Sequence, residues 1–242
     1  VTPPSGSMAP TAPIRKNILL VAFVLGMLIP VVAIFLRETM NSKIRGRKDL
    51  EGISIPFIGE IPLFTRKKQG LFRKKAPELK AVVVKEGSRD IVNEAFRVLR
   101  TNLEFMTDKG QQSNVIVVTS FNPGSGKSFL TMNMGVSLAI KGQKVLVIDG
   151  DLRHGSASSY VNSPRTGLSD FLSGRTDRLG EIIVPDRNHK GLDILPVGTI
   201  PPNPTELLFS DRLKQVIDTV RGLYDYVLID CPPVEIVADT QI

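Results

Sequence analysis

The chain has 242 residues, 42% of them hydrophobic and 23% charged, with 31 Lys and Arg against 24 Asp and Glu and a net charge of +7. These proportions are those of a folded protein with about one α/β domain and accessory segments, which excludes a disordered, collagen-like or disulfide-stapled chain. The lone Cys231 has no partner for an intramolecular disulfide, which fits a reducing compartment around it. The excess charge is not a nucleic-acid footprint, because residues 1–80 carry 14 Lys and Arg against 5 Asp and Glu while residues 81–242 carry 17 against 19. No nucleic-acid partner is expected of a domain that is slightly acidic.

In chain order, a Pro-rich segment (1–16) precedes an uncharged run from Ile18 to Leu36. Its nineteen residues, at about 1.5 Å each, reach roughly 28 Å, the thickness of a hydrocarbon core. The run has no polar face, and membrane helices tolerate its Gly26 and Pro30. It is too long for the apolar core of a signal peptide, no small-residue cleavage site follows, and prolines 3, 4, 10 and 13 stand before it. A transmembrane helix over 17–36 is predicted. Only Arg15 and Lys16 flank it on one side, whereas Arg37, Lys43, Arg45, Arg47 and Lys48 follow it. The positive-inside rule puts 1–16 outside and the basic linker, 37–80, in the cytoplasm. A second cluster, Arg66, Lys67, Lys68, Arg73, Lys74 and Lys75, either lies against anionic lipid headgroups or is a solvated linker. A start at Val1 with no initiator Met reads as the tail of something longer.

Residues 81–242 alternate strand and helix patterns. Asn114–Ser120, Lys144–Ile148, Asp193–Val197 and Tyr226–Ile229 are short apolar runs without alternation, as a parallel sheet covered on both faces requires. The fold class is α/β, a doubly wound, mostly parallel sheet with helices on both faces.

After the first run comes Pro123-Gly124-Ser125-Gly126-Lys127-Ser128, then a helical stretch from Phe129 to Ile140. A strand-to-helix junction of this composition cradles phosphate. Glycines turn backbone N–H groups inward, Lys127 brings a cation, the Ser128 hydroxyl can ligate Mg²⁺, and the helix N-terminus adds its dipole. A full loop of this type has Gly where Phe121 stands. Two further strands end in acids, as Val145-Leu-Val-Ile-Asp149-Gly-Asp151-Leu-Arg153 and as Tyr226-Val-Leu-Ile-Asp230-Cys-Pro-Pro233. The carboxyl ends of parallel strands share one edge, so Asp149, Asp151 and Asp230 are expected to converge on the loop as Mg²⁺ ligands, the first two pointing the same way from an extended chain.

With these residues in hand, the sequence resembles the bacterial protein-tyrosine kinases of capsule and exopolysaccharide export, the cytoplasmic halves of polysaccharide co-polymerases. The resemblance rests on PGSGKS, on VLVIDGDLR with its DxDxR spacing, and on VLIDCPP, and extends to GLSDFLSG at 167–174, LPVG at 195–198, PPNPTELL at 201–208, PTAPIRKN before the apolar run and Gly59-Glu-Ile-Pro62 after it. It implies a P-loop kinase using ATP and Mg²⁺, with Pro123, Gly124, Ser125, Gly126, Lys127, Ser128, Phe129 and Arg153 at the nucleotide. Ser128, Asp149, Asp151 and Asp230 would serve the metal, and Lys127, Asp149 and Asp151 the phosphoryl transfer to tyrosine. It further implies trans-autophosphorylation, polysaccharide polymerase and export machinery as partners, and a place in the bacterial inner membrane. The family carries later sheet strands and a tyrosine-rich tail beyond the point matching Ile242, so the 81–242 domain is expected to be C-terminally truncated, its sheet incomplete.

One further mark is Glu94-Ala-Phe-Arg97-Val-Leu-Arg100. On a helix, Val92, Phe96, Leu99, Leu103 and Met106 make an apolar stripe, and Glu94, Arg97 and Arg100 lie away from it. Spacing alone leaves a solvated, salt-bridged face and an interface equally open; because all three lie off the stripe, replacing them should spare the fold, and the resemblance implies a ring of like subunits joined here that the same change would dissolve. His154 and His189 read as loop histidines, Cys231 as a small buried residue, and Tyr224 and Tyr226 as partly buried. Two other readings stay open, an inert chain-length scaffold and a partition-type ATPase, although the latter carries Lys where Asn122 stands and no preceding membrane helix.

Overall fold

The computed structural model describes residues 15–40, 54–62, 82–107 and 114–234. They fall into two compact units, Val1–Phe57 and Ile58–Ile242. In the first unit, α1 (Arg15–Thr39) is a 25-residue helix with Pro30 inside it and no buried residue. At about 1.5 Å per residue it is roughly 37 Å long, and with a mean hydropathy of 3.0 over an 18-residue window it is long and apolar enough to cross a membrane. Residues 1–14 and the basic stretches holding Lys43, Arg45, Arg47, Lys48 and Arg66–Lys75 lie outside the described residues.

The second unit is a layered α/β fold. Its elements are α2 (Ile91–Met106), β1 (Asn114–Val118), α3 (Lys127–Ile140), β2 (Val145–Asp149), a 3-10 turn (Ser158–Val161), α4 (Leu168–Leu172), α5 (Leu179–Ile182), β3 (Val184–Pro185), β4 (Leu192–Leu195), α6 (Pro204–Leu208), α7 (Asp211–Arg221) and β5 (Tyr226–Asp230). The strand order is β1-β5-β2-β4-β3. All pairings are parallel except the short β3 on β4. Pro185, which has no N–H for a ladder, sits in that two-residue edge strand. The four apolar runs are thus the four parallel strands, with ends shifted by one or two residues. Thr119 and Ser120 lie just past β1, where their hydroxyls donate to Pro232 O (2.8 Å) and Asn122 O (2.8 Å).

Side-chain alternation splits the core in two. Val145 and Val147 of β2 and Tyr226 and Leu228 of β5 face α2 and α3. Leu146, Ile148 and Val227 face the opposite layer, built from α4, α5, α6 and α7. Helix α3 is covered on one side by the sheet and on the other by α2, so every residue from Thr131 to Ala139 is buried. That is why its sequence shows no polar face. Its buried Asn133 is satisfied locally, donating to Phe129 O (2.8 Å) and accepting from the N–H groups of Val83 (2.8 Å) and Val84 (3.1 Å).

Helix α2 starts at Asp90, whose carboxylate caps the N–H groups of Val92 and Asn93 at 3.0 Å each. Val92, Phe96 and Leu99 are buried and Leu103 half-buried, but Met106 is 52% exposed. The apolar stripe ends one turn earlier than its spacing predicts, since the helix runs past the layer it covers. Residues 58–62 pack here as well, through Ile58 and Ile61 and a hydrogen bond from Asn102 Nδ2 to Ile58 O (2.6 Å).

Arg100 corrects the sequence reading more sharply. It does not lie clear of the buried face, because its guanidinium reaches across to α3 and donates to Ser137 O (2.6 Å) and Ser137 Oγ (3.3 Å). Glu94 and Arg97 do stay half-exposed, as a pair 2.9 Å apart. Arg100→Ala is therefore expected to destabilise the fold by about 1–3 kcal/mol, the cost of losing a charge-assisted hydrogen bond, while Glu94→Ala or Arg97→Ala should cost about 0.5 kcal/mol or less. Urea denaturation of the three single variants measures the difference, and equal midpoints would contradict it.

Candidate active site

The exits of β1, β5 and β2 are laced together at the carboxyl edge of the sheet. Cys231 N–H donates to Val118 O and Gly150 N–H to Asp230 O, each at 2.9 Å. Between β1 and α3 the loop Phe121–Gly126 folds over itself, with Ser125 Oγ donating to Asn122 O (2.7 Å). Gly124 and Gly126 take φ of +74° and +88°, a left-handed backbone that strains any residue with a Cβ, and open space surrounds both. Gly126 is the N-cap of α3, with no side chain capping the first turn. The free N–H groups, the helix dipole and Lys127 and Ser128 in that turn form an anion cradle. Phe121, at the position where the full motif has Gly, is 69% exposed.

Asp149 and Asp230 are register partners on adjacent parallel strands, about 4.8 Å apart along the sheet. Alternation carries both onto the α3 face, after Val147 and Leu228. Both are fully buried. Burial is the main cause that pushes the Asp149 carboxyl up to about 7; two hydrogen bonds from Ser158 pull it down, and the charges of Asp230 and Asp151 add to the rise. The Asp230 carboxyl is pushed up to about 6, again chiefly by burial, with Ser128 and the Lys127 ammonium opposing and Asp151 reinforcing. Each of the three acids thus sits within another's field, and Lys127 and Ser128 are within reach of Asp230. The strand-end acids and the start of α3 thus share one edge of the sheet.

Their oxygens are used unequally. Asp149 Oδ2 accepts from Ser158 N–H and Ser158 Oγ, both at 2.6 Å. Asp149 Oδ1 and both oxygens of Asp230 are buried and accept no well-formed hydrogen bond. Buried carboxylate oxygens left this way are costly unless a cation or donor meets them. Asp151 departs from expectation. The chain turns after Gly150 instead of staying extended, and Asp151 Oδ1 accepts from the N–H of Arg153 (3.3 Å) and His154 (3.2 Å) and lies 3.3 Å from His154 Nδ1. Arg153 reaches outward to Thr205 Oγ1 (3.3 Å) on α6, and Phe129 packs on Phe96 in the core, ring centroids 6.1 Å apart.

Two residues that sequence reasoning did not single out complete the frame. Ser158 is one. The other is Asp170, whose Oδ2 accepts from the N–H groups of Gly167 (3.0 Å) and Thr199 (3.2 Å), joining the GLSDFLSG and LPVG segments. His189 pairs with Asp186. The Cys231 thiol is pushed up to about 12 by burial and the Asp230 charge, so it is unreactive. Tyr226 is buried, Tyr224 donates to Asp193 Oδ2 (2.8 Å), and Tyr160 is half-buried, its hydroxyl pushed up to about 12 by burial and Asp230.

The raised carboxyls give the ligand-free protein a pH signature. Asp149 and Asp230 ionise near 4 in the unfolded chain and at about 7 and about 6 in the folded one. Between those values unfolding releases protons that the fold retains. Stability therefore falls as pH rises through this window, by up to about 1.4 kcal/mol per pH unit for each group, and levels off above it. Thermal denaturation without nucleotide, from about pH 5 to about pH 8, is expected to show a falling Tm that Asp230→Asn flattens; an equal slope in the variant would contradict it.

A family model described as an AAA domain matches residues 113–240. The kinase domain of Escherichia coli tyrosine kinase ETK superposes with a TM-score of 0.69 at 32% identity, covering 82% of this chain and 76% of that one. This chain belongs to the bacterial tyrosine kinases, within the AAA-domain family. Among curated relatives of the family it is 35% identical over 246 residues to the putative tyrosine-protein kinase AmsA of Erwinia amylovora, across 96% of this chain. It is 36% identical over 257 residues to the putative tyrosine-protein kinase EpsB of Ralstonia solanacearum, across 98%. The chain spans about a third of the length of these relatives, 33% and 32%. A P-loop fold of this family implies nucleotide binding.

Proposed function

We propose that the protein is an ATP-dependent protein-tyrosine kinase of exopolysaccharide or capsule export, anchored by α1 in the bacterial cytoplasmic membrane with its kinase unit in the cytoplasm. The observation that carries the reading is the pairing of a phosphate cradle with buried, side-by-side carboxylates that keep three oxygens unpartnered. That donor set fits a hard cation beside a polyphosphate. Among the described residues no three acids, imidazoles or thiols gather tightly enough to hold a metal alone, so a Mg²⁺ ion here would share its shell with Ser128, Asp151, Asp230 and the nucleotide, and Asp149, whose Oδ1 is its one open oxygen, would face the attacking hydroxyl instead. When bound, ATP supplies the transferable phosphoryl group and Mg²⁺ neutralises its charge.

The chain's own residues do the rest. Backbone N–H groups of Gly124–Ser128 and the Lys127 ammonium would hold phosphate oxygens; Phe129, whose ring is turned into the core against Phe96, could add only its backbone N–H, and Arg153 would border the nucleotide from the side of α6. Asp149, neutral-to-ionised near pH 7, accepts the proton of the incoming phenol, whose ordinary pKa of about 10 makes it a poor nucleophile otherwise. The phenolic oxygen forms the new bond to phosphorus as the bond to ADP breaks. Asp151, held by its own turn, and Asp230 face the same charge.

Self-association in a ring through Glu94, Arg97 and Arg100 remains part of this reading, with trans phosphorylation between subunits. Arg100 then serves mainly to anchor α2, leaving Glu94 and Arg97 as the outward contacts. Lipid headgroups at the basic linker, polysaccharide polymerase and export machinery, and tyrosine-bearing proteins are the partners. Incubating the full-length protein with labelled ATP and Mg²⁺ should yield phosphotyrosine that disappears on chelation. No label under these conditions would favour an inert membrane scaffold.

A further inference from the structure

Ser158 lies nine residues beyond Asp149, in the 3-10 turn, and is 3% exposed. Its backbone N–H and its hydroxyl both meet Asp149 Oδ2 at 2.6 Å, and the same hydroxyl oxygen accepts from Val197 N–H at 2.8 Å. A backbone N–H only donates, so the lone pair facing Val197 is used and the serine proton is directed to Asp149. Oδ2 is thus held as an acceptor from two donors at once. The other oxygen, Oδ1, is buried with no partner. Val197 belongs in turn to the segment that Asp170 ties to α4, through Ser169 N–H on Val197 O (2.9 Å) and Thr199 N–H on Asp170 Oδ2. The carboxylate is braced from the sheet side by β2 and from the loop side by this frame.

We propose that Ser158 is a positioning residue for phosphoryl transfer: its two donors lock Asp149 Oδ2, so that Oδ1 alone is the oxygen that receives the tyrosine proton. The inference rests on the reading of Asp149 as the proton-accepting carboxylate. Without the hydroxyl, Oδ2 keeps only the backbone donor, the carboxylate regains a torsional freedom, and Val197 N–H loses its acceptor. Ground-state binding of nucleotide, which depends on the loop at Gly124–Ser128, is untouched.

The test uses full-length protein in detergent, assayed for tyrosine phosphorylation over a range of ATP concentrations. Ser158→Ala is expected to lower kcat about tenfold or more while ATP KM stays within about threefold, the range seen when a supporting partner of a reactive group is removed. Ser169→Ala is the control, because that buried hydroxyl bonds to Thr199 O in the same frame without touching Asp149. It should keep kcat within about threefold. If Ser158→Ala does not fold, Ser158→Cys carries the same test, since it fills the space with a weaker donor and should show the same kcat loss. Asp149→Asn separates the two levels. If it stays active, the reading of Asp149 itself falls. If it is inactive while the Ser158 variant keeps wild-type kcat, or if Ser169→Ala loses as much as Ser158→Ala, only the positioning role is overturned.

Discussion

Lys127→Met is expected to leave the fold intact and to cut phosphoryl transfer by about a hundredfold or more, the scale of losing one preorganised charge at a reacting group. The side chain starts α3 at the mouth of the cradle and is only half-buried, so its removal opens no core cavity. Its ammonium is also a positive charge felt by Asp230, so the variant loses a phosphate ligand and a counter-charge to the acids together. Circular dichroism and an ATP-turnover assay on the same preparation check both halves. Unchanged turnover in a folded variant would remove the site from the Gly124–Ser128 loop.

The second large effect runs in opposite directions for activity and stability. Asp230→Asn should abolish transfer, by about two to three orders of magnitude, yet raise the Tm of the nucleotide-free protein at neutral pH. Both carboxylate oxygens of Asp230 are buried beside Asp149 with no well-formed hydrogen bond, and Ser128 and Lys127 offset only part of their burial, so the folded state carries the cost of desolvating two like charges. An amide keeps the shape and removes one of them. Asp149→Asn should also stop transfer while leaving nucleotide affinity within a few-fold, as its neighbour at the register position still meets the phosphate side. A Tm that falls in Asp230→Asn would mean that Ser128 and Lys127 already satisfy the carboxylate. The pattern is that of a site whose function is built on a local loss of stability.

Much of this was legible from the residues because it depends on short-range order. A run such as VLVID reports its own burial, and a strand followed by PGSGKS reports its own turn. The acids at 149 and 230 were placed at one edge by the rule that parallel strands end together, and that rule needs no contact list. What stayed hidden depends on atoms meeting across sequence. Nothing in the residues around Ser158 shows that it will meet Asp149, and nothing near Arg100 shows that its head will end on Ser137, thirty-seven residues later. Helical spacing placed Arg100 on a polar face because it treats side chains as points on a cylinder, whereas an arginine reaches far enough to rejoin the buried side. Asp151 eluded the extended-chain argument because its carboxylate found two backbone donors in the next turn. The short helices α4 to α6 and the edge strand β3 carry too few residues for periodicity to register.

Gly135 sits two turns along α3 from the cradle, where a Cβ would come within 3.1 Å of Val147 Cγ2 and Leu192 Cδ1 and 3.7 Å of Leu228 Cδ1. It acts as a spacer gauge, setting the standoff between the helix and the strands that end in Asp149 and Asp230. The helix is a stiff lever, and Lys127 and Ser128 ride on its tip about 12 Å from this fulcrum. A single methyl group at the fulcrum, far from any phosphate, would tilt the tip by tenths of an ångström relative to the acids. The geometry of the cradle is thus set in part in the middle of a buried helix, at a glycine more than two turns from Gly126.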